Sequence, residues 1–118
     1  MELNEYQKQA MTTCMPSCDN FSYMALNLMG EVGEFMGKVA KHIRKGEIFI
    51  DDGVLYFKRG VPAEVVDALE DEGGDMLWQL MGLYKVMGWD AEAIAQRNLA
   101  KLRSRAERGK IDGNGDNR

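Results

Sequence analysis

Two stretches of this chain, residues 21–45 and 63–87, return an apolar residue every three or four positions, and this constrains the fold more than anything else in the sequence. In the first, Met24, Leu28, Val32, Phe35, Val39 and Ile43 fall on one side of a helical wheel turned by about 100° per residue. In the second, Val65, Leu69, Met76, Leu80, Leu83 and Met87 do the same. Stripes of that length must be buried against each other or against further helices. The expected fold is all-α, a helical bundle built on two long antiparallel helices plus two shorter ones. A chain of 118 residues buries a limited core, so oligomerisation is expected as well.

Punctuating residues set the rest of the order. Residues 2–12 read as a short helix, stopped before "CMPSCDN". Asp19, Asn20 or Ser22 can cap the first long helix, and Gly46 closes it. In "EIFIDDGVLYFKRG", two β-rich runs flank Asp51-Asp52-Gly53, which predicts a small β-hairpin insert at about 47–58. Pro62 suits the first turn of the second long helix, Gly88 stops it, and Asp90 caps a fourth helix, "AEAIAQRNLAKLRSRAER". The tail at 109–118 is glycine-rich and without periodicity. Residues 1–118 are expected to form one domain.

Charge and composition exclude several classes. A net charge of −4 argues against a nucleic-acid-binding surface, which would want a basic face. No apolar run approaches the roughly 20 residues of a membrane span, and the acidic, polar start "MELNEYQKQA" is unlike a signal peptide. Cys14 and Cys18 are therefore expected as reduced thiols in a cytoplasmic protein. Zinc would need more soft ligands than the chain provides beside them, since His42 is its only histidine.

Acids stand beside both stripes. Glu31 and Glu34 share one flank of the first long helix with Asn27 and Lys38, while Glu72 and Asp75 share a flank of the second. The spacing is the same in both: acid, two residues, acid. In an antiparallel pair, Glu34 and Glu72 stand roughly 16 and 15 Å from the shared end, and Glu31 and Asp75 roughly 21 and 20 Å. The pairs come level, although the wheel leaves open whether the flanks meet. Acids at this spacing are often simply solvated. Where four of them meet, they repel and raise one another's pKa values unless cations neutralise them. Hard divalent ions such as Mg²⁺ take oxygen ligands and bridge phosphates, so phosphoryl or nucleotidyl transfer follows, with a spare carboxylate as general base.

The segments "LMGEVGEFMGKVAKH" and "EGGDMLWQLMGLYKVMG" resemble the MazG-like nucleotide pyrophosphohydrolases, of the small phage and bacterial type. That family is marked by Glu-x-x-Glu and Glu-x-x-Asp on two helices of an all-α fold, matched here by Glu31, Glu34, Glu72 and Asp75. Similar proteins continue with Asn-x-x-Lys-Leu-x-x-Arg, matched by Asn98, Lys101, Leu102 and Arg105, and end in Gly-x-Gly-Asp-Asn-Arg, matched by Gly113 to Arg118. The resemblance covers about residues 20–118. It implies Mg²⁺-dependent hydrolysis of a nucleoside triphosphate, or its deoxy form, to the monophosphate and pyrophosphate through a metal-held water, with Mn²⁺ able to stand in. It implies Glu31, Glu34, Glu72 and Asp75 as metal ligands, with Glu34 and Glu72 also catalytic, in a dimer or tetramer whose sites draw helices from more than one chain. Asn98, Lys101 and Arg105 are then expected on the substrate phosphates, for which lysine and arginine are suited; the two basic residues equally suit the end of a helix dipole. The insert at 47–60 is longer than the connection in compact members, and Glu70 and Asp71 fall away from the Glu72 edge.

Two alternatives remain open at this level: a related α-helical phosphohydrolase acting on another nucleotide such as phosphoribosyl-ATP, or a non-catalytic acidic helical adaptor. A ferritin-like di-iron centre is excluded because His42 stands in no Glu-x-x-His motif. Met24, Met29, Met36, Met76, Met81 and Met87 are expected as core or interface filler. Trp78, off the apolar stripe, is expected at an oligomer interface or, failing that, against a base. His42 is expected on the solvent side.

Overall fold

A computed structural model of the chain describes residues 1–109 and 111. Among these residues the chain forms α1 (Leu3–Met11), α2 (Phe21–Arg44), β1 (Ile48–Asp51), β2 (Val54–Phe57), α3 (Ala63–Val86) and α4 (Ala91–Glu107). The architecture is all-α with a small hairpin, as the periodicity predicts. The tail motif at Gly113 to Arg118 lies outside the described residues.

Local chemistry explains each boundary. The Asn20 side chain accepts a hydrogen bond from the Tyr23 N–H at 2.8 Å, so Asn20 is the cap of α2 among the three candidates. Gly46 leaves the helix at φ 71°, a left-handed conformation that glycine adopts without strain. In the hairpin, Ile48 pairs with Phe57 and Asp51 with Val54 in antiparallel register. Its two-residue turn, Asp52-Gly53, has φ values of 48° and 76°, the positive pair that a twisted hairpin favours. Pro62 stands one position earlier than expected, as the residue before α3; its ring sets φ at −58° while ψ stays extended at 143°.

α2 and α3 pack along their length, while α1 lies against α3 and α4. Their direction is antiparallel: Met24 meets Gly82 near one end, and Val39 clusters with Leu69 near the other. α1 also completes the start of α4. The first N–H groups of a helix have no partner within it. Here Gln7 Oε1 accepts from Ala91 N at 3.0 Å, Asn4 Oδ1 from Glu92 N at 2.8 Å, and Asp90 Oδ1 from Ala93 N at 2.7 Å.

The buried apolar residues form two groups. One contains Met11, Met24, Met81 and Ala91; the other contains Val39, Ile48 and Leu69. Along both long helices, the residues between these groups include the paired acids.

Two expectations change. Trp78 packs inside the chain against the first group, and its Nε1 donates to Ala10 O and to Thr13 Oγ1, each at 2.9 Å. It lies off the α3 stripe because α1 covers that side, which the wheel of α3 alone does not show. His42 is buried rather than solvent-facing, its Nδ1 2.9 Å from Glu47 Oε1 beyond the end of α2. Cys14 and Cys18 are free thiols. Among the described residues, no helix is long and apolar enough to cross a membrane.

Candidate functional site

The two acid flanks meet. One carboxylate oxygen from each of Glu31, Glu72 and Asp75 lies within 4.8 Å of the other two. The cause is local: α2 and α3 run antiparallel in close contact, and each acid sits at the edge of the stripe its helix buries. Glu72 is only 8% exposed, whereas Asp75 is open to solvent. Glu34 is exposed and stands outside this group of three. It follows Glu31 by three positions, which turns it about 60° around the helix, toward solvent. Glu70 and Asp71 are exposed, as expected.

Amides and one lysine surround the carboxylates. Asn27 Nδ2 donates to Glu31 Oε1 at 3.3 Å and to Gln79 Oε1 at 2.8 Å. Gln79 is 1% exposed, and its Nε2 donates to Met24 O at 3.4 Å and to Met24 Sδ at 3.1 Å. A chain of hydrogen bonds thus ties Glu31 to the buried floor between the helices. On the other side, Lys38 Nζ lies 2.6 Å from Glu72 Oε1. Asn27, Lys38 and Gln79 are members of the site that the acid spacing alone does not reveal. Their signal was the wheel, which places Asn27 and Lys38 on the same flank as Glu31.

Much of the site's charge is uncompensated. Glu31 Oε2 and Glu72 Oε2 are buried and have no hydrogen-bond partner among the described residues. Burial pushes the Glu31 carboxyl above its ordinary value, and the charges of Glu34, Asp75 and Glu72 add to the rise. Lys38 is raised as well: its hydrogen bond to Glu72 holds the ammonium protonated beyond its usual range. A buried carboxylate oxygen without a partner is costly and calls for an explanation. A divalent cation fits. The donors are all oxygen, the preference of a hard ion, and Glu31, Glu72 and Asp75 would hold it.

The three residues expected on the substrate sit elsewhere in the chain. Asn98 and Lys101 are exposed on α4, where with Ile94, Arg97 and Ala100 they line a groove of about 460 Å³ that includes none of the four acids. Arg105 is buried, at 4% exposed.

An all-α pair of helices that brings the first acid of Glu-x-x-Glu together with both acids of Glu-x-x-Asp defines a class, and comparison with known proteins agrees. The model of the MazG nucleotide pyrophosphohydrolase domain matches residues 20–109, from the cap of α2 past the end of α4. The chain belongs to the MazG nucleotide pyrophosphohydrolase family. Membership points to nucleotide pyrophosphohydrolase activity that depends on a divalent metal. The Gene 37 protein of Mycobacterium phage L5 is 35% identical over 125 aligned positions, spanning the whole of both chains. No solved structure matches the chain significantly.

Proposed function

We propose that the protein hydrolyses a nucleoside or deoxynucleoside triphosphate to the monophosphate and pyrophosphate, with Mg²⁺ or Mn²⁺ held by Glu31, Glu72 and Asp75. The carrying observation is the convergence of these three carboxylates, two of which have a buried oxygen with no partner among the described residues. A divalent cation in that place supplies neutralisation of the triphosphate oxygens and makes water more acidic.

The chain's own groups divide the remaining tasks. Glu72, buried and fixed between the helices, anchors the charge of the site. Asn27 and Gln79 hold Glu31 at a set angle. Glu34 stands at the solvent side of the cluster, where it can complete the ligand set when substrate is bound or accept the proton of the attacking water. That water forms a bond to phosphorus as the bridge between the α- and β-phosphates breaks, and pyrophosphate leaves with the bridging electron pair.

A homo-oligomer, dimer or tetramer, is part of this reading. α2 is apolar on both sides: Leu26, Met29 and Met36, 75%, 65% and 54% exposed, form a second face together with Gly33 and Gly37. Exposed apolar patches of this kind mark interfaces. The Cα radius of gyration, 17.8 Å, exceeds the roughly 13.5 Å of a compact domain this long. A second copy would also supply an α4 to the acids, giving Asn98, Lys101 and Arg105 a route to substrate phosphates.

The deciding experiment is a nucleotide panel with Mg²⁺, read separately for phosphate and pyrophosphate and including phosphoribosyl-ATP. Pyrophosphate from one or more triphosphates supports the assignment. No turnover of any nucleotide, with no change in melting at millimolar metal, would point instead to an acidic adaptor.

A further inference from the structure

Lys38 has no place in the hydrolytic scheme above, yet its ammonium makes the one ion pair to the acid cluster among the described residues, 2.6 Å from Glu72 Oε1. The two partners differ in freedom. The Glu72 side chain is 11% exposed and held between two packed helices, whereas that of Lys38 is 40% exposed on a flexible four-carbon stem. One can leave and the other cannot. The pair also falls short of neutrality: among the described residues one ammonium, on Glu72, serves a cluster of three carboxylates, and Glu31 Oε2 and Glu72 Oε2 still find no partner.

We propose that Lys38 is an exchangeable counterion: it occupies Glu72 in the metal-free protein and must give up that carboxylate when a divalent cation enters. This rests on the acid cluster being a metal site. Two cations on one carboxylate oxygen repel strongly at such distances, so the lysine and the metal compete. Lys38 therefore weakens metal binding in the absence of substrate while keeping the empty cluster tolerable. The released ammonium has a place to go, because Lys38 also lines a groove of about 260 Å³ with Lys41, His42, Glu64, Val65 and Ala68. There it stands beside the metal site, where a phosphate end of the substrate can meet it.

The test is Mn²⁺ binding to the nucleotide-free protein, by calorimetry and by the spectrum of free Mn²⁺, for wild type, Lys38→Met and Lys38→Arg. Lys38→Met should bind Mn²⁺ more tightly, by roughly fivefold or more, with helicity unchanged. Lys38→Arg should stay near wild type. The sign separates exchange from support, since a lysine that merely positions Glu72 would give weaker binding when removed. Equal or weaker binding by Lys38→Met, with wild type binding normally, would overturn the exchange and leave the metal site standing. No Mn²⁺ binding by wild type would overturn both.

Discussion

Gly82 lies directly against Met24: a β-carbon at Gly82 would stand 2.5 Å from the thioether sulfur and 2.6 Å from the terminal methyl. Met24 is wholly buried, and its sulfur accepts the Gln79 amide, so it has little room to yield. Overpacking such a point costs about 1–3 kcal/mol, offset in part by the roughly 1 kcal/mol that alanine gains over glycine in a helix. Gly82→Ala should therefore lower stability by up to about 2 kcal/mol in denaturant melts.

Gly33 and Gly37 should behave in the opposite way, because a β-carbon at either meets nothing within 4 Å. Alanine at either position should stabilise the isolated chain by up to about 1 kcal/mol. These positions share the outward face of α2, so the same substitutions should loosen an assembly packed there. Melting and size-exclusion chromatography on the same samples read both effects.

Asp75→Asn should abolish most activity with the fold intact, since Asp75 is exposed and contributes charge rather than packing. Loss of about 3 kcal/mol of transition-state stabilisation corresponds to roughly a hundredfold fall in kcat/KM. Glu34→Gln should do the same if Glu34 takes the proton of water. Full pyrophosphate release by both variants would sink the site assignment.

The metal-free protein should have an unusual pH profile. Glu31 holds its proton more tightly folded than unfolded, because of burial and then its acidic neighbours. Its contribution to stability is complete below the ordinary carboxyl value of 4.5 and is lost as pH rises through the higher folded value. Glu47 acts in the opposite sense: the His42 hydrogen bond lowers its value, so its contribution is lost as pH falls. Melts in chelator from acid to neutral pH should show the decline in wild type. Glu31→Gln should flatten it, and saturating Mg²⁺ should reverse it.

Gln79→Leu tests the support under Glu31. It removes a buried amide that binds both Asn27 and the backbone of Met24, at a cost of about 1–3 kcal/mol. Mn²⁺ affinity should fall by roughly 10–100-fold, the usual penalty for losing a group that orients a ligand.

The acid pairs were legible in the sequence because helical period fixes which residues share a flank, and matched spacing on two stripes implies level heights. Asn20, Gly46 and Asp52-Gly53 were legible because capping and turn geometry are local. What could not be read depended on other elements. Trp78 is covered by α1, whose direction no wheel of α3 contains. His42 is buried and bonded to Glu47, which lies past the helix end. The separation of Glu34 from the other acids follows from a 60° turn that becomes meaningful only once the partner helix is placed. Asn98 and Lys101 lie on a helix whose position relative to the acids is a matter of tertiary, and by the proposed assembly quaternary, arrangement.

The two apolar groups, Met11-Met24-Met81-Ala91 and Val39-Ile48-Leu69, lie on either side of the acid cluster, so the packing that joins them passes a seam of like charge. Cooperativity between halves of a domain needs a favourable contact between them. Without metal, repulsion among the three acids works against the Lys38–Glu72 ion pair and the Asn27–Gln79 hydrogen bond that hold the seam. A cation held by Glu31 of α2 and by Glu72 and Asp75 of α3 would act as a rivet, strengthening the coupling between the two groups. Hydrogen exchange along both long helices would then slow together on metal addition, far from the carboxylates themselves.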